Sequence, residues 1–305
     1  MTLGAIIGLD VGGTKVAGGL LTAADDLIEL MQRPTLVDGR RDPGLGVTRQ
    51  VAEELAGAAA RGGLKLEGIG AGFPEFVDPE GRLSSREVLE WTSQPAELLA
   101  DIAPTTVDSD VRCAALGEGA LGAARGLASY VYVIVGTGMS YALVENGRAR
   151  SGARGEAIAL GESEVSRSVD PETGLSLERY ASGEGIRERF IAATGRDARG
   201  AADVFGLAAS GDQVAGSIVA TAAAAVGAAI AALVSIIDPG AIVIGGGVTS
   251  AGPRWRGGVE STYAARAGRR PSPPPLRWAE LGSRAGIIGA AIRHRGRLNG
   301  AGQRS

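Results

Sequence analysis

The chain has 305 residues, of which 45% are hydrophobic and 21% charged, a balance typical of a globular protein with one large or two ordinary domains. Its 31 basic and 34 acidic side chains give a net charge of −3, so no strong field favours nucleic acid or an anionic membrane. Cys113 is the only cysteine and His294 the only histidine. This excludes an intrachain disulfide, a zinc cluster of Cys and His ligands, and a Ser-His-Asp triad unless His294 alone serves it.

The first half of the chain predicts alternating strands and helices. Two short apolar runs flank a glycine turn at 10–15 and favour paired strands. Ser109 or Asp110 is suited to cap a following helix. The expected elements are strands at 5–9, 16–21, 68–74 and 105–107, and helices at 47–61, 97–102 and 111–124.

The second half repeats the pattern of a strand that ends in a glycine turn. A hairpin is expected around the turn at 146–147, an irregular segment at 151–170, and a disordered tail at 296–305. The remaining expected elements are strands at 130–135 and 241–244, a further strand after the proline-rich loop 271–275, and helices at 175–181, 183–194, 214–237 and 283–293.

The segment 214–237 carries no charge and is long enough to cross a bilayer. It consists mostly of alanine and other apolar residues and lacks a flanking Lys/Arg cluster, which favours a buried core helix. The N-terminus has no basic region before an apolar run, so no signal peptide is expected. We therefore predict a cytoplasmic protein.

Three glycine turns follow apolar runs, at 10–15, 136–138 and 245–247. Glycine lets backbone N–H groups approach a phosphate, and a threonine hydroxyl adds a donor. A carboxylate at a strand end, such as Asp10, suits the hydration shell of Mg²⁺. Each turn alone is at least as typical of an ordinary hairpin, but three together favour a nucleotide. Two similar α/β halves with a ligand between their strand ends are the resulting expectation.

The chain resembles the ROK family of sugar kinases and related repressors, within the actin-like ATPase superfamily. The likeness runs in order through two phosphate motifs, a GxGxPG-like loop, an Asn-Asp-Ala-like motif, the end of a zinc motif and an adenosine motif. The matching segments are 10–15, 70–74, 109–111, 136–138, 177–183 and 245–247. Repressors of this family carry a DNA-binding helix-turn-helix before the first motif, and with nine residues before Asp10 we expect a kinase instead.

The resemblance implies a two-lobed actin-like (ribonuclease H-like) α/β fold with the active site in the cleft between the lobes. It implies a small N-terminal lobe at 1–110, joined by the C-terminal helix at about 283–305, and a large lobe at 111–282. It also implies a homodimer and a small-molecule sugar substrate, with no nucleic acid or membrane partner.

The implied activity is phosphoryl transfer from ATP with Mg²⁺ to a sugar hydroxyl, the 6-position in the family. Asp110 matches the family's catalytic base, although on its own it would be interpreted as a helix cap. Asp10 would hold Mg²⁺ through water. The implied ATP-binding residues are Asp10, Gly12, Gly13, Thr14, Lys15, Gly136, Thr137, Gly138, Gly245, Gly246 and Gly247. The implied substrate contacts are Glu75, Ser109, Asp110, Glu162 and Glu178.

The sugar pocket is where the sequence departs from the family pattern. Glu75 replaces a glycine, Ser109 an asparagine, Ala159 a glutamate and Glu162 a histidine. The segment 169–176, which aligns with the cysteine-rich zinc cluster, contains no cysteine, so we expect no zinc. That loop must then be held by its own packing and hydrogen bonds.

Two new carboxylates in a closing cleft are unfavourable unless the ligand carries an ammonium group. The hypothesis is therefore an amino-sugar kinase, such as the kanosamine kinases of antibiotic biosynthesis. A C7-cyclitol kinase, a ROK glucokinase with a rebuilt pocket and a catalytically inactive nucleotide-binding regulator remain alternatives. Drift or a misaligned polar loop would also explain the substitutions.

Three single residues have simpler interpretations. Cys113 is expected to be a packed thiol, and His294, between two arginines, to be solvated. Trp91 could cover the sugar pocket or pack in the core.

Overall fold

The computed structural model describes residues 3–268 and 270–301, which form two five-stranded sheets, a two-stranded sheet and a set of helices. The strands are β1 (Gly4–Val11), β2 (Lys15–Thr22), β3 (Leu27–Pro34), β4 (Leu36–Val37), β5 (Arg40–Arg41), β6 (Lys65–Phe73), β7 (Thr105–Ser109), β8 (Ser129–Val135), β9 (Met139–Glu145), β10 (Arg148–Ala149), β11 (Ile242–Gly245) and β12 (Leu276–Trp278). The helices are α1 (Gly46–Arg61), α2 (Pro95–Leu98), α3 (Asp110–Leu121), α4 (Leu177–Ala181), α5 (Gly183–Thr194), α6 (Ala201–Ala209), α7 (Gln213–Ile237), α8 (Pro253–Ala267) and α9 (Ala285–Ala301). The sheet orders are β3-β2-β1-β6-β7 and β10-β9-β8-β11-β12, and β4 pairs with β5 in a separate two-stranded sheet.

The chain divides into two compact units. The first contains the described residues up to Gly126, Ala142–Ile158 and the described residues from Glu280 onward. The second contains the described residues of Leu127–Tyr141 and Ala159–Ala279. The lobe boundary expected at Asp110 stays a prediction.

In the first unit, the register of the sheet places three strand ends at one edge. β1 pairs antiparallel with β2 and parallel with β6, and β6 pairs parallel with β7. Apolar residues of β1, β2, β6 and α1 form one buried core. Since parallel strands end on the same side, the carboxyl ends of β1, β6 and β7 are neighbours.

Glycines let α9 approach the first sheet and α3 closely. A Cβ atom at Gly70 in β6 would lie 1.8 Å from the carbonyl oxygen of Ala290, and one at Gly289 would lie 1.6 Å from that of Cys113. No side chain fits at either position. The thiol of Cys113 is itself fully buried, as expected, and burial raises its pKa well above its usual value.

In the second unit, β8, β11 and β12 run parallel, with Ile242 opposite both Val131 and Leu276. The expected helix at 214–237 is α7, which begins at the N-cap Asp212 and packs against α8. Half of its most apolar 18-residue window is buried. α7 is long and apolar enough to span a membrane, but this alone is weak evidence because core helices of soluble proteins have the same properties.

Two expectations for the C-terminus are wrong. His294 is buried, with 3% of its surface exposed, and its Nδ1 lies 2.9 Å from the hydroxyl oxygen of Thr106. Residues 296–301 belong to α9 and are not disordered, while 302–305 lie outside the described residues. β3, α6 and α8 were not among the expected elements.

Candidate active site

Two carboxyl groups lie at the carboxyl-terminal edge of the first sheet. Asp10 is the penultimate residue of β1, and Asp110 is the first residue of α3, directly after β7. The register pairs Asp10 with Gly72 and Gly72 with Asp108. A Cβ atom at Gly72 would lie 3.2 Å from the Asp110 Cα, so this glycine leaves room for the start of α3. The fold therefore brings Asp10 and Asp110 together.

The two carboxyl groups share a poorly solvated, acidic environment. Burial raises the pKa of Asp10 from 3.8 to about 6, although the charge of Lys15 opposes the shift. Burial also raises the pKa of Asp110 from 3.8 to about 7, and the charges of Asp10 and Glu75 add to this. A hydrogen bond from the next backbone N–H and the charge of Arg112 act in the opposite direction. A carboxyl group with a pKa near neutrality can both accept and release a proton at working pH.

The Asp10 carboxyl group lies against the first turn of α9. A Cβ atom at Gly286 would lie 2.6 to 2.8 Å from its carboxyl atoms. The positive end of the α9 dipole stabilises negative charge there. Among the described residues no group of three or more His, Cys, Asp and Glu forms a metal cluster. A single carboxylate beside a glycine turn still fits Mg²⁺, which keeps several waters and binds through one or two carboxylates plus substrate phosphates.

The turn between β1 and β2 is stabilised by hydrogen bonds within the turn and from the buried Thr35. The N–H of Gly12 donates to the carbonyl of Lys15 at 2.9 Å. The fully buried Thr35 donates its hydroxyl to the carbonyl of Gly12 at 2.8 Å and its N–H to the carbonyl of Thr14 at 3.0 Å. Thr14 and Lys15 are exposed, and Gly13, which precedes them, is half-buried. Thr35 was not predicted from the sequence, since no local signal links it to a turn that ends twenty residues earlier.

An ion network centred on the buried Asp108 lies two residues before Asp110. Asp108 accepts hydrogen bonds from the Nε of Arg112 and, at 2.7 Å, from the Nε of Arg293. Arg112 is 1% exposed, and its other guanidinium nitrogens donate to the carbonyl oxygens of Val77 and Gly155. The network joins β7, α3 and α9 directly behind the predicted base. It was not predicted from the sequence.

Two predicted sugar contacts of the first unit are buried. Ser109 is the N-cap of α3, and its hydroxyl oxygen accepts a hydrogen bond from the N–H of Arg112 at 3.4 Å. Glu75 is 2% exposed and both of its carboxylate oxygens are engaged. They accept hydrogen bonds from the hydroxyl of Ser85 at 2.5 Å and from the N–H groups of Glu87, Val88 and Leu89 at 2.9 Å each. Glu75 thus anchors the segment 85–89, a role that the sequence analysis did not foresee.

Trp91 follows that segment and is half-buried. Its Nε1 donates to the carbonyl of Ser85 at 2.8 Å, the Arg86 guanidinium lies 4.3 Å from its ring centre, and it packs against the core of the first unit.

In the second unit, a cavity of about 740 Å³ lies beside the second glycine turn. It is lined by three of the predicted nucleotide residues, Gly136, Thr137 and Gly247, together with Gly183, Glu184, Arg199, Gly200, Ala201, Ala202, Phe205, Gly206, Val248, Ser250 and Ala251. The N–H of Gly183 at the start of α5 donates to the carbonyl of Gly136 at 2.7 Å. The volume lies within the range of sites that enclose a small molecule.

The other predicted nucleotide residues of this unit do not line the cavity. Gly245 lies against the hydroxyl of Tyr132, where a Cβ atom would be 2.3 Å away. Gly246 has a φ of +94°, and a Cβ atom there would lie 2.4 Å from the carbonyl oxygen of Val135. Gly138 faces Glu178 instead. Gly245 and Gly246 thus shape the strand end that carries Gly247.

Glu162 and Glu178, the predicted sugar contacts of this unit, are both exposed. Glu162 ends a short 3-10 helix at Leu160–Glu162, and Glu178 lies in the first turn of α4. The Glu178 carboxylate accepts a hydrogen bond from the N–H of Met139 at 2.7 Å. A Cβ atom at Gly161 would lie 3.0 Å from the Glu178 Cβ, so the two acidic segments are in contact.

Comparisons with a family model, with relatives and with solved structures all point to the same family. The ROK family model matches residues 6–296. A glucokinase from Halalkalibacterium halodurans is 32% identical over 312 residues, covering 93% of this chain and 92% of that protein. The structure of a ROK hexokinase from Thermus thermophilus is 32% identical with a TM-score of 0.81, covering 97% of this chain and 99% of that one.

A ROK family glucokinase from Streptomyces griseus, solved in complex with glucose and AMPPNP, is 25% identical with a TM-score of 0.77. The likeness covers 95% of this chain and 98% of that one. The expected α/β fold class is therefore confirmed as that of the actin-like ATPases. Since the family match runs through nearly all of the sequence, the chain belongs to the ROK family.

Proposed function

We propose that this ATP-dependent carbohydrate kinase phosphorylates an amino sugar, with Asp110 as the general base. The observation that carries the choice of base is the setting of Asp110. It starts α3 at the edge of the sheet beside Asp10, and its pKa is raised to about 7. A base with such a pKa is matched to a hydroxyl that loses its proton near neutral pH.

In the proposed reaction the sugar hydroxyl oxygen forms a bond to the γ-phosphorus, and the bond from that phosphorus to the β–γ bridging oxygen breaks, releasing ADP. The hydroxyl proton passes to a carboxylate oxygen of Asp110. Asp10 would hold Mg²⁺ through water, and the ion when bound neutralises charge on the phosphates. Positioning of the two reactants supplies most of the remaining rate enhancement. The choice of the 6-hydroxyl rests on the family resemblance alone.

Nucleotide-binding groups are proposed in each unit. The exposed Thr14 and Lys15 and the neighbouring Gly12 and Gly13 would contact phosphates. The cavity beside Gly136, Thr137 and Gly247 would receive the nucleoside. Its volume and its mix of glycine backbone, apolar and charged groups support this assignment.

The amino-sugar proposal rests on Glu162, with Glu178 close to the same segment. Glu162 is exposed, and its carboxylate has no hydrogen-bond partner among the described residues. A carboxylate of this kind is suited to an ammonium group, as in kanosamine. Glu75 gives no support to this proposal, because its oxygens already hold the 85–89 segment.

Glucose is the main rival substrate, because the Halalkalibacterium relative is named a glucokinase and the Streptomyces griseus structure holds glucose. The retention of both Asp10 and Asp110 favours a kinase over an inactive regulator. A C7 cyclitol stays a further alternative.

The test is ADP release with Mg·ATP over glucose, mannose, glucosamine, kanosamine, N-acetylated hexosamines and a C7 cyclitol. We expect kcat/KM to be highest for kanosamine. Equal activity on glucose and on its 3-amino analogue would reject the amino-sugar proposal. If ATP binds but no sugar of the panel causes ADP release, the inactive regulator would be favoured.

Glu162→Gln tests whether the Glu162 carboxylate binds the ammonium group of the sugar. A charge-assisted hydrogen bond contributes roughly 1.5–3 kcal/mol, so we expect the preference for kanosamine over glucose to fall about tenfold or more. Glu164→Gln is the matched control, because Glu164 is an exposed glutamate two residues further along. An unchanged preference in Glu162→Gln would show that another group recognises the substrate.

A further inference from the structure

The segment 163–176, here called the connecting loop, joins the two carboxylates that we propose contact the sugar. It begins directly after Glu162 and ends one residue before α4, whose second residue is Glu178. The loop closes on itself at its base, because the N–H of Leu177 donates to the carbonyl of Ser163 at 2.7 Å and Glu164 forms a β-bridge with Ser176. Anything that orders the connecting loop therefore acts on both ends at once.

Asp170 organises the distal part of the connecting loop. Its Oδ1 accepts hydrogen bonds from the N–H groups of Glu172 and Thr173 at 3.2 and 3.1 Å. Its Oδ2 accepts one from the hydroxyl of Tyr180 at 3.0 Å. One carboxylate thus ties the turn of the loop to α4.

Tyr180 is a rigid attachment point. Its side chain is 2% exposed, and the guanidinium of Arg189 stacks on its ring with 3.6 Å between the guanidinium carbon and the ring centre. Arg189 also donates to the carbonyl of Tyr180 and to the hydroxyl of Thr221, both at 2.8 Å. Contacts among α4, α5 and α7 therefore fix the Tyr180 ring independently of its hydrogen bond to Asp170.

We propose that Asp170 is a positioning residue: by binding the Tyr180 hydroxyl and the turn at 172–173 it fixes the connecting loop and thereby aims Glu162 and Glu178 at the sugar. This inference rests on the proposed function of the same site. Asp170 does not touch the sugar in this proposal. The segment 169–176 contains no cysteine, and the hydrogen bonds of Asp170 order it instead.

The test combines sugar kinetics with limited proteolysis. Arg167 is exposed within the connecting loop, so tryptic cleavage after Arg167, followed by mass spectrometry, reports loop order independently of activity. We expect Asp170→Ala to speed this cleavage at least fivefold and to raise the KM for the preferred sugar five- to twentyfold. The KM for ATP should stay within about twofold, because the cavity-lining residues are not in the loop.

Three further variants keep the test decisive. Glu172→Ala removes a carboxylate from the same loop whose oxygens have no hydrogen-bond partner among the described residues, and both readouts should stay at wild-type values. Asp170→Asn keeps an acceptor oxygen for Tyr180 and should restore part of the sugar KM. Tyr180→Phe removes only the hydroxyl and should reproduce the effects of Asp170→Ala even if the latter folds poorly.

The outcomes separate this inference from the proposed function. Faster cleavage with an unchanged sugar KM would overturn positioning by Asp170, as would equal changes in Glu172→Ala. Unchanged cleavage in Asp170→Ala and Tyr180→Phe would also overturn it, whatever the kinetics. If the wild-type protein consumes no ATP with any sugar, the proposed function fails, while cleavage still decides whether Asp170 orders the loop.

Discussion

At the scale of single residues, Asp110 carries two opposed demands. Its position next to Asp10, away from full hydration, raises its pKa to about 7, which suits a base. The same environment makes the ionised form costly in the folded protein. A residue kept in such a setting is expected to improve function at the expense of stability.

Asp110→Asn tests both sides of this conflict. Turnover with the preferred sugar should fall by two or more orders of magnitude, because the amide cannot accept the proton. A raised folded-state pKa means that stability falls as pH rises from about 4 to about 7. Each pKa unit is worth about 1.4 kcal/mol, and partial exposure reduces the effect. The variant should therefore be roughly 1–2 kcal/mol more stable than wild type at pH 8 and about equal near pH 4.

Denaturant unfolding at the two pH values, beside steady-state ADP release, gives the answer. Wild-type turnover in Asp110→Asn would refute the assignment of the base. A variant that is folded, binds ATP and has lost turnover would disfavour the inactive regulator, because a regulator has no turnover to lose.

Asp108, two residues before the base, has a purely structural role by its contacts. It is the acceptor for Arg112 and Arg293, and its side chain is 6% exposed. Asp108→Asn would leave Arg112 buried with its charge poorly matched. Removing one partner of a buried pair costs about 3–5 kcal/mol, so we expect a loss of that order in the free energy of unfolding.

The control for Asp108→Asn is Asp101→Asn. Asp101 also pairs with an arginine, Arg49, but its side chain is 63% exposed. Solvent screens such pairs, so little change in unfolding is expected. Equal effects of the two substitutions on denaturant midpoints would contradict the view that burial makes the Asp108 network important.

At the scale of elements, α9 is the helix on which the first unit depends. It lies against β1, β6 and α3, where glycines replace side chains on both sides of the contact. Close approach of backbones gains dispersion contacts that a single added methyl group would remove. The cost of glycine in a helix is about 1 kcal/mol per residue, which the packing offsets.

Two glycines of α9 form a matched pair for this argument. Gly289→Ala would place a Cβ atom 1.6 Å from the carbonyl oxygen of Cys113, so α9 and α3 must separate. We expect a loss of about 3 kcal/mol or more in stability. Gly296→Ala meets nothing within 4 Å and should stabilise the protein by roughly 0.5–1 kcal/mol through helix propensity.

Thermal or denaturant unfolding of both alanine variants measures the difference. Equal stability of the two would show that α9 does not approach α3 as closely as the contact at Gly289 requires.

The elements that sequence analysis found differ from those it missed in their local signals. α5 was predicted at 183–194 with the bounds that the structure has, and in the structure Ser182 caps its start and Gly195 follows its end. α8 contains two adjacent glycines and has a proline at its start, yet its buried residues, Trp255, Val259, Tyr263 and Ala267, recur every four positions. That periodicity was a usable signal. β3 shows mostly exposed residues, so its apolar pattern is weak.

At the scale of the whole molecule, the motifs predicted where segments lie in the fold better than which contacts each side chain makes. Asp10 and Asp110 share one sheet edge because parallel strands bring distant motifs together. Glu75 looked like a substrate contact in the sequence but binds a segment ten or more residues away. Thr35 and Arg293 carry no motif, and only the tertiary fold shows their roles.

The same limit applies to His294, whose arginine neighbours in sequence suggested solvent exposure. Its ring instead packs against β6 and β7, where a Cβ atom at Gly68 would lie 2.0 Å from Nε2. Burial is the main cause that lowers the pKa of His294 below its usual value of 6.5. A histidine with a lowered folded-state pKa binds fewer protons when folded, so its contribution to stability is lost as pH falls below about 6.5. This dependence is opposite in sign to that of Asp110.

His294→Asn removes the titration and keeps a polar atom near Thr106. Wild type should lose more stability than this variant between pH 7.5 and pH 5, because only wild type has the histidine whose folded-state pKa is lowered. Protonation of Asp110 raises the stability of the protein as pH falls over part of the same interval. The variant must therefore be compared with wild type at each pH, and the wild-type curve alone is not enough. Urea unfolding of both proteins at pH 7.5 and pH 5 measures the difference. Equal losses of unfolding free energy in the two proteins would mean that protonation of His294 does not change stability. The acid sensitivity would then arise elsewhere in the molecule.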